Sequence, residues 1–319
     1  MKKKFRTENG FTLLELVIVL GLIALVTHLA VREMWQWRRS KLGDVAERQL
    51  EELRSAILGD DYERDVDGMR IRSGFVADMG RLPQAVWLTN TVPWRLSLAE
   101  LWLAPPAAER FDVRPAIAAN MVAGSEAADF DGEVYVAGGW RGPYIRMAVG
   151  ARELRDAWGN PFTVPDDAGY VERLLDPAGD SVTNGAPVAV IRYFGADGLY
   201  DNGVEPLNRA DRDGEIDLLE RAWTNGISGL AITLNVVDGD DSAVIGAEAT
   251  FRVYSPVGGK IAVHSVKKSN TSGQVVAIVG GLTPGPRVLR VEYGGQKSLP
   301  RRVMLAPGIN TVTERVVYK

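Results

Sequence analysis

A 21-residue apolar run, Phe11–Val31, broken only by Thr12, Glu15, Thr27 and His28, follows a short basic leader that ends at Gly10. A helix of about 20 residues crosses the hydrocarbon core of a bilayer. The first element of the chain is therefore a membrane helix, and everything after it must fold as a body attached to that helix. An ordinary secretory signal has a shorter apolar region with a small-residue cleavage site behind it. Here the processing glycine stands ahead of the run, so the anchor survives removal of the leader. Lys2, Lys3, Lys4 and Arg6 favour a cytoplasmic N-terminus. Arg32, Arg38, Arg39 and Lys41 on the far flank oppose that bias, so orientation rests more on the soluble, non-cytoplasmic character of the remainder.

Gly10-Phe11-Thr12-Leu13-Leu14-Glu15 and the span behind it resemble the N-terminus of a type IV prepilin or pseudopilin. The resemblance implies cleavage between Gly10 and Phe11 by a prepilin peptidase and methylation of the new Phe11 amine. It also implies a filament in which Glu15 faces the amine of a neighbouring subunit and sets axial register. A carboxylate at membrane depth costs roughly 3 kcal/mol on insertion scales and needs such a partner. The competing reading is a plain signal anchor with a stray acid near its end.

The helix is expected to outrun the membrane. Leu42, Val45, Ala46, Gln49, Leu50, Leu53, Ala56 and Ile57 recur at three- and four-residue steps between charges, and Gly59 ends the run. Continuous from Phe11 to Leu58, it would be about 70 Å long. Its lower stripe would pack on a small head.

Residues 74–103 resemble the start of a pseudopilin head, with Asp78-Met79-Gly80-Arg81-Leu82-Pro83 followed by Ser97 and Glu100 at capping-box spacing for a short helix. Residues 104–139, rich in alanine, proline and glycine, read as an irregular insertion without an assignable role. Trp140, Gly142, Pro143 and Tyr144, and then Asp156, Trp158, Gly159, Asn160 and Pro161, are similar to the head of the major pseudopilin of type II secretion systems. Trp-Gly-Asn-Pro is by its chemistry a tight turn feeding a strand. Tyr144, Trp158 and Phe162 supply apolar area to a small core. Val164–Leu175 and Gly185–Tyr193 read as strands.

The same resemblance implies a calcium site. Gly195-Ala196-Asp197-Gly198 and the later Asp213 to Asp217 stretch match the loop and the acidic pair that flank it. Asp197, Asp213 and Asp217 with loop carbonyls would supply the six to eight oxygens calcium requires. Tyr200–Pro206 departs from the family's glycine-rich loop. An EF-hand register fails because Arg209 falls at its first ligand position. The alternative for these acids is a solvated surface loop.

Composition narrows the chemistry. There is no cysteine and there are only two histidines, His28 and His264. That excludes disulfides, thiol nucleophiles, zinc–thiolate sites and multi-histidine metal sites. An acid pair such as Asp197 and Asp213 could serve a hydrolase, but nothing places them on facing elements, and no enzyme is expected. The net charge of −4 and the lack of a recognition motif argue against nucleic acid.

From Ser228 the texture changes. Residues 228–319 carry 11 Lys+Arg against 6 Asp+Glu, while the rest carries 26 against 35. Seven segments, 230–237, 249–254, 261–266, 275–279, 287–293, 299–305 and 311–317, read as short strands separated by turn residues, the pattern of a β-sandwich. Ile245–Phe251, Ser272–Val275 and Gly281–Gly285 resemble a carboxypeptidase-regulatory or transthyretin-like domain. Lys267-Lys268 and Arg301-Arg302 are candidate contacts, or ordinary hairpin charges.

The expected fold is thus α+β. Residues 1–10 are a leader, 11–58 a transmembrane and amphipathic helix, 59–227 a head of small antiparallel sheets with an insertion near 104–139, and 228–319 an all-β sandwich. The expected role is a structural pseudopilin or pilin subunit. Its partners would be other subunits, the prepilin peptidase and the inner-membrane assembly platform, with the body in the periplasm. The alternative is a minor pilin whose sandwich docks a secreted substrate or a surface ligand.

Overall fold

A computed structural model of the chain describes residues 13–59, 74–88, 95–148, 150–165, 174–195, 214–218, 228–306 and 309–318. Helix α1, Leu13–Leu58, is 46 residues long and ends at Gly59, whose N–H bonds to the Ser55 carbonyl at 2.8 Å. At 1.5 Å per residue it reaches about 70 Å. Its first half, Leu13–Met34, is 0% buried. Its second half buries Ala46, Leu50, Leu53, Ile57 and Leu58. The buried stripe is narrower than the sequence pattern: Val45 stays exposed, because it sits about 100° around the helix from Ala46 and the head covers only one face.

The head stacks the short helix α2, Phe75–Met79, and two small sheets against that stripe. One sheet is β1 (Val86–Leu88), β2 (Arg95–Ser97) and, after a long excursion, β5 (Thr163–Pro165), all antiparallel. The excursion contains the hairpin β3 (Asp112–Ala116) and β4 (Asp131–Gly138). The other sheet is β6 (Leu174–Leu175), β7 (Val190–Tyr193) and β8 (Gly214–Asp217). Phe75, Met79, Leu98, Leu101, Phe162, Leu174, Ile191 and Tyr193 fill the space between sheets and helix.

The capping box is not formed. Ser97 ends strand β2, and its hydroxyl points to the Val86 carbonyl at 3.4 Å. The following 3-10 turn, Ala99–Leu101, has no side-chain cap. Glu100 is drawn instead to Arg81, which donates to both its oxygens at 2.8 and 2.7 Å, and to the Gln84 N–H at 2.6 Å. A bidentate charged partner outcompetes a lone backbone N–H.

The C-terminal part is a β-sandwich. Its strands are β9 (Ser228–Val237), β10 (Glu248–Val257), β11 (Lys260–Ser269), β12 (Gln274–Leu282), β13 (Gly285–Tyr293), β14 (Gln296–Lys297), β15 (Arg301–Leu305) and β16 (Ile309–Val317). One sheet runs β11-β10-β13-β14 with β15 also paired to β13, and the other runs β12-β9-β16. Strands β9 and β16 are parallel, and the other pairs are antiparallel. Inward residues alternate along each strand, as in Leu230, Ile232, Leu234 and Val236 of β9, and meet Phe251, Val253, Leu289 and Val291 of the opposing sheet. Buried Asn270 holds the β11–β12 turn: its Oδ1 accepts from the Gly273 N–H at 2.9 Å, and its Nδ2 donates to Val244 O and Tyr293 Oη at 2.6 and 3.0 Å.

Residues 104–139 are not irregular. The β3–β4 hairpin lies on the sandwich, where Ala116, Met121, Val134 and Val136 make a separate small core with Tyr254 and Ile261.

Candidate assembly helix and the joint above it

Leu13–Met34 has a mean hydropathy of 2.5 and is 0% buried, long and apolar enough to cross a membrane. Leu, Ile and Val side chains stand out on every side of it, which a helix tolerates only in lipid or against other helices. Glu15 lies in the first turn. Thr27 satisfies its hydroxyl within the helix by donating to the Ile23 carbonyl at 2.7 Å. Gly10 and Phe11 lie outside the described residues. Below the apolar part, charges ring the helix, with Lys41 and Asp44 paired at 3.6 Å and Arg54 and Glu51 at 3.2 Å.

The aromatic head motif folds into two supports. Trp140 donates through Nε1 to the Glu100 carbonyl at 2.7 Å and packs edge-on against Tyr144. Gly142 and Pro143 make the turn between them through a cis peptide, and Tyr144 also meets Phe75 edge-on, centroids 5.5 Å apart. In the second support, buried Asp156 collects its own loop: Oδ1 accepts from the Trp158 and Asn160 N–H groups at 3.0 and 2.7 Å, and Gly159 turns with φ 90. Pro161 closes the loop by a bridge to Arg155. Trp158 is thereby laid flat on Tyr193. Asp176 and Asp238 hold their loops in the same way, each accepting two N–H bonds from residues two and four positions on.

Above the first support, head and sandwich meet at a buried polar joint whose partners lie too far apart in sequence to be read from it. Asp78 is 4% exposed. Its carboxylate accepts from Tyr144 Oη at 3.1 Å and pairs with Arg141 at 3.3 Å. Burial pushes its pKa above the usual carboxylate value; Arg141, the Tyr144 hydrogen bond and Arg287 pull it back. Burial likewise pushes the Tyr144 phenol up, helped by the Asp78 charge. Arg287, from strand β13, is fully buried in the same joint. Burial lowers its pKa and Asp78 opposes that. Its guanidinium donates to the carbonyls of Thr283 (3.1 Å), Pro286 (2.7 Å), Pro284 (2.9 Å) and Ala77 (3.3 Å), and to the Thr283 hydroxyl.

Backbone contact reinforces the joint. The Gly139 N–H bonds to Asp78 O, and the Gly258 N–H to Met79 O, both at 2.8 Å. Pro256 wedges between Gly80 and Gly138: a Cβ on Gly80 would lie 1.6 Å from the Pro256 carbonyl oxygen, and one on Gly138 would lie 2.1 Å from its Cβ.

A second, ionic clasp ties the hairpin to the sandwich. Arg290 pairs with Asp131 at 3.4 Å and Glu133 at 2.6 Å, and Lys297 reaches Asp131 at 3.2 Å. Arg252, directly opposite Arg290 in the ladder, pairs with Glu292 at 2.7 Å and Asp129 at 3.7 Å.

Of the acids expected to hold calcium, Asp217 ends β8 and is half-buried, while Asp197 and Asp213 lie outside the described residues. Among the described residues no group of three or more His, Cys, Asp or Glu side chains is placed to hold a metal. His264 sits on β11 with its pKa lowered by burial and by Arg287, the environment of a neutral strand residue.

Residues 5–31 match the family model described as the prokaryotic N-terminal methylation motif. None of the curated proteins compared with the chain matches it. The matched segment contains Gly10, Phe11 and Glu15 and runs into the bare part of α1. The chain thus carries a prepilin-type N-terminal methylation motif at the head of a helix long and apolar enough to cross a membrane, the signature of a pilin-type subunit that a prepilin peptidase processes.

Proposed function

We propose that this chain is a structural subunit of the pseudopilin kind, stored in the inner membrane and drawn into a filament, with its head and sandwich in the periplasm. The observation that carries the reading is α1: a methylation motif leads into 22 residues of helix, Leu13–Met34, none of them covered by the rest of the chain. Such a surface is covered by lipid in the stored subunit and by the helices of other subunits in the filament. Trading one for the other costs little hydrophobic free energy, because lipid tails are as apolar as leucine. Direction and register must then come from polar groups, and Glu15 is the acid within the apolar run, Glu33 lying beside Arg32 at its far end. Cleavage between Gly10 and Phe11 creates an amine four residues from it. The Glu15 carboxylate of one subunit pairs with the Phe11 amine of the next.

The work is mechanical and needs no catalysis by this chain. The experiment is the intact mass and N-terminus of the protein extracted from membranes of cells that have a prepilin peptidase. A chain beginning at Phe11 with one added methyl group is expected. A chain still beginning at Met1 overturns the reading and leaves an anchored periplasmic protein.

A second reading, a minor pilin that docks a secreted substrate or surface ligand, is favoured by one feature. The sandwich is seated on the head through Arg287 and Pro256 and keeps the outer face of its β12-β9-β16 sheet open. Calcium at Asp197, Asp213 and Asp217 belongs to the same proposal as a stabiliser of the loop that precedes β8, with Asp217 offering one carboxylate.

A further inference from the structure

Two polar residues of α1 remain outside the Glu15 pairing. His28 lies within the apolar run and Glu33 at its far end, and both stand exposed on the helix. A polar side chain at membrane depth needs a partner. Neighbours on a helix surface lie three and four positions away, and consecutive residues do not face each other. For His28 those positions hold Ala24, Leu25, Val31 and Arg32, none of which offers a side-chain acceptor. Thr27, by contrast, is satisfied within the helix by the Ile23 carbonyl. For Glu33 the same positions hold Leu29, Ala30, Gln36 and Trp37, none of them charged. The helix thus gives His28 no acceptor and Glu33 no cation.

Spacing brings the two together between copies. Pairing the Phe11 amine of one copy with Glu15 of another sets an offset of four residues, about 6 Å along the axis. An offset of five residues, about 7.5 Å, brings His28 of the first copy level with Glu33 of the other. The two offsets differ by a single rise of about 1.5 Å, which side chains of this length absorb. At the four-residue offset His28 is level with Arg32, which offers only donors, so the acceptor is Glu33 beside it. The faces agree as well. Glu15 and Glu33 are 18 residues apart, about five whole turns, so one side of one helix presents both acids. An amine at a helix start lies close to the axis, so His28 decides which side of the second helix meets them.

We propose that His28 of one subunit donates to the Glu33 carboxylate of a second copy of this chain, forming an intersubunit pair about 27 Å along α1 from the Glu15 pair. The proposal rests on the filament reading. A second copy is the partner because the methylation motif marks a subunit that assembles with its own kind, Leu13–Met34 is left uncovered, and one sequence carries both members of both pairs at matching spacing. A single polar pair sets the axial offset but leaves two apolar helices free to swing about it. A second pair at the other end of the span fixes their crossing angle too.

The chain has no cysteine, so introduced thiols report without interference. Full-length chains carrying Leu29→Cys and Met34→Cys are co-expressed in cells that have the prepilin peptidase and assembly platform, one of them tagged so that the copies differ in mass. These positions repeat the five-residue offset and leave His28 and Glu33 in place. A short thiol cross-linker, bridging helix axes about 8–10 Å apart, is expected to join the two chains. Leu29→Cys in both copies reports an unstaggered pair and is expected to give little product. Equal yield from that control, no product from the staggered pair, or linkage only to a protein of different sequence overturns the proposal. Carried by both copies, His28→Leu and Glu33→Leu are each expected to lower the staggered yield roughly threefold, and the double variant no further, because either change removes the same pair. Leucine keeps the span apolar, so insertion is preserved. Unchanged yield in either single variant, or a further fall in the double, overturns the pair. N-terminal mass on the same samples separates the two readings. Missing product from chains that begin at Phe11 refutes the His28–Glu33 pair alone, whereas chains still beginning at Met1 refute the filament reading and the pair with it.

Discussion

Arg287, a strand residue of the sandwich, donates through Nη1 to the main-chain carbonyl of Ala77 in the head, 3.3 Å away and 210 residues earlier. Four carbonyls and one hydroxyl share this one guanidinium. Replacing it by methionine keeps the volume but leaves those acceptors dry. Arg287→Met is expected to destabilise the full chain by about 3 kcal/mol or more, read as a lower urea midpoint. Arg287→Lys is expected to recover little, since a single ammonium cannot fork to so many acceptors.

The wedge at Pro256 makes a sharper test of how closely the two parts approach. Gly80 has φ 70, and a methyl group there would collide with the Pro256 carbonyl. Gly80→Ala is therefore expected to lift the β10–β11 turn off the head. The cost is strain from two sources, left-handed backbone and backbone overlap, of roughly 3 kcal/mol together. Limited proteolysis should then cut between head and sandwich faster than in the parent chain.

Asp78 predicts a pH dependence whose sign follows from its burial. Its folded pKa lies above the unfolded value of 3.8, so the folded state holds the proton more tightly. Stability from this group falls as pH rises through the interval that begins near 3.8. Asparagine cannot ionise and escapes that loss. The stability of Asp78→Asn relative to the parent is expected to improve as the pH rises above about 4, measured as the difference in urea midpoints. A difference that does not change with pH contradicts the account.

Asp156 holds the Trp158 loop through two N–H bonds to one carboxylate oxygen. Asp156→Ala strips both from a buried site, and the expected loss is about 2–4 kcal/mol. Trp158 should lose its stacking on Tyr193 at the same time, visible as a red shift and weakening of near-ultraviolet circular dichroism.

For calcium the readout is thermal. Calcium at a hundredfold excess over its dissociation constant adds about 2.7 kcal/mol to a protein that binds it only when folded. The melting temperature is expected to rise with calcium and fall with a chelator, and Asp217→Asn should abolish the difference.

How much of this was legible in the sequence follows from where each partner lies. Helix α1 needs no distant partner: its apolar run and its Ala46, Leu50, Leu53 and Ile57 stripe are local patterns. Each of the seven strand segments read in the sandwich overlaps a strand, because alternation over five or more residues is likewise local. The β3–β4 hairpin was illegible because its small core is completed by Tyr254 and Ile261, more than a hundred residues away. Ser97 and Glu100 misled because Arg81 claims the glutamate, a contact outside the capping window. Asp78 stands in the Asp78–Pro83 motif, yet nothing nearby in sequence signals that Arg287 comes to lie in its joint.

The hairpin has a consequence for biogenesis. Residues 112–138 leave the ribosome more than a hundred residues ahead of Ile261, so the face formed by Ala116, Met121, Val134 and Val136 is born uncovered. It stays greasy and open until the last third of the chain arrives to seal it. A chain truncated before β10 would present that unfinished face to every protease and holdase in the compartment. Completion of the polypeptide thereby becomes a condition for its survival.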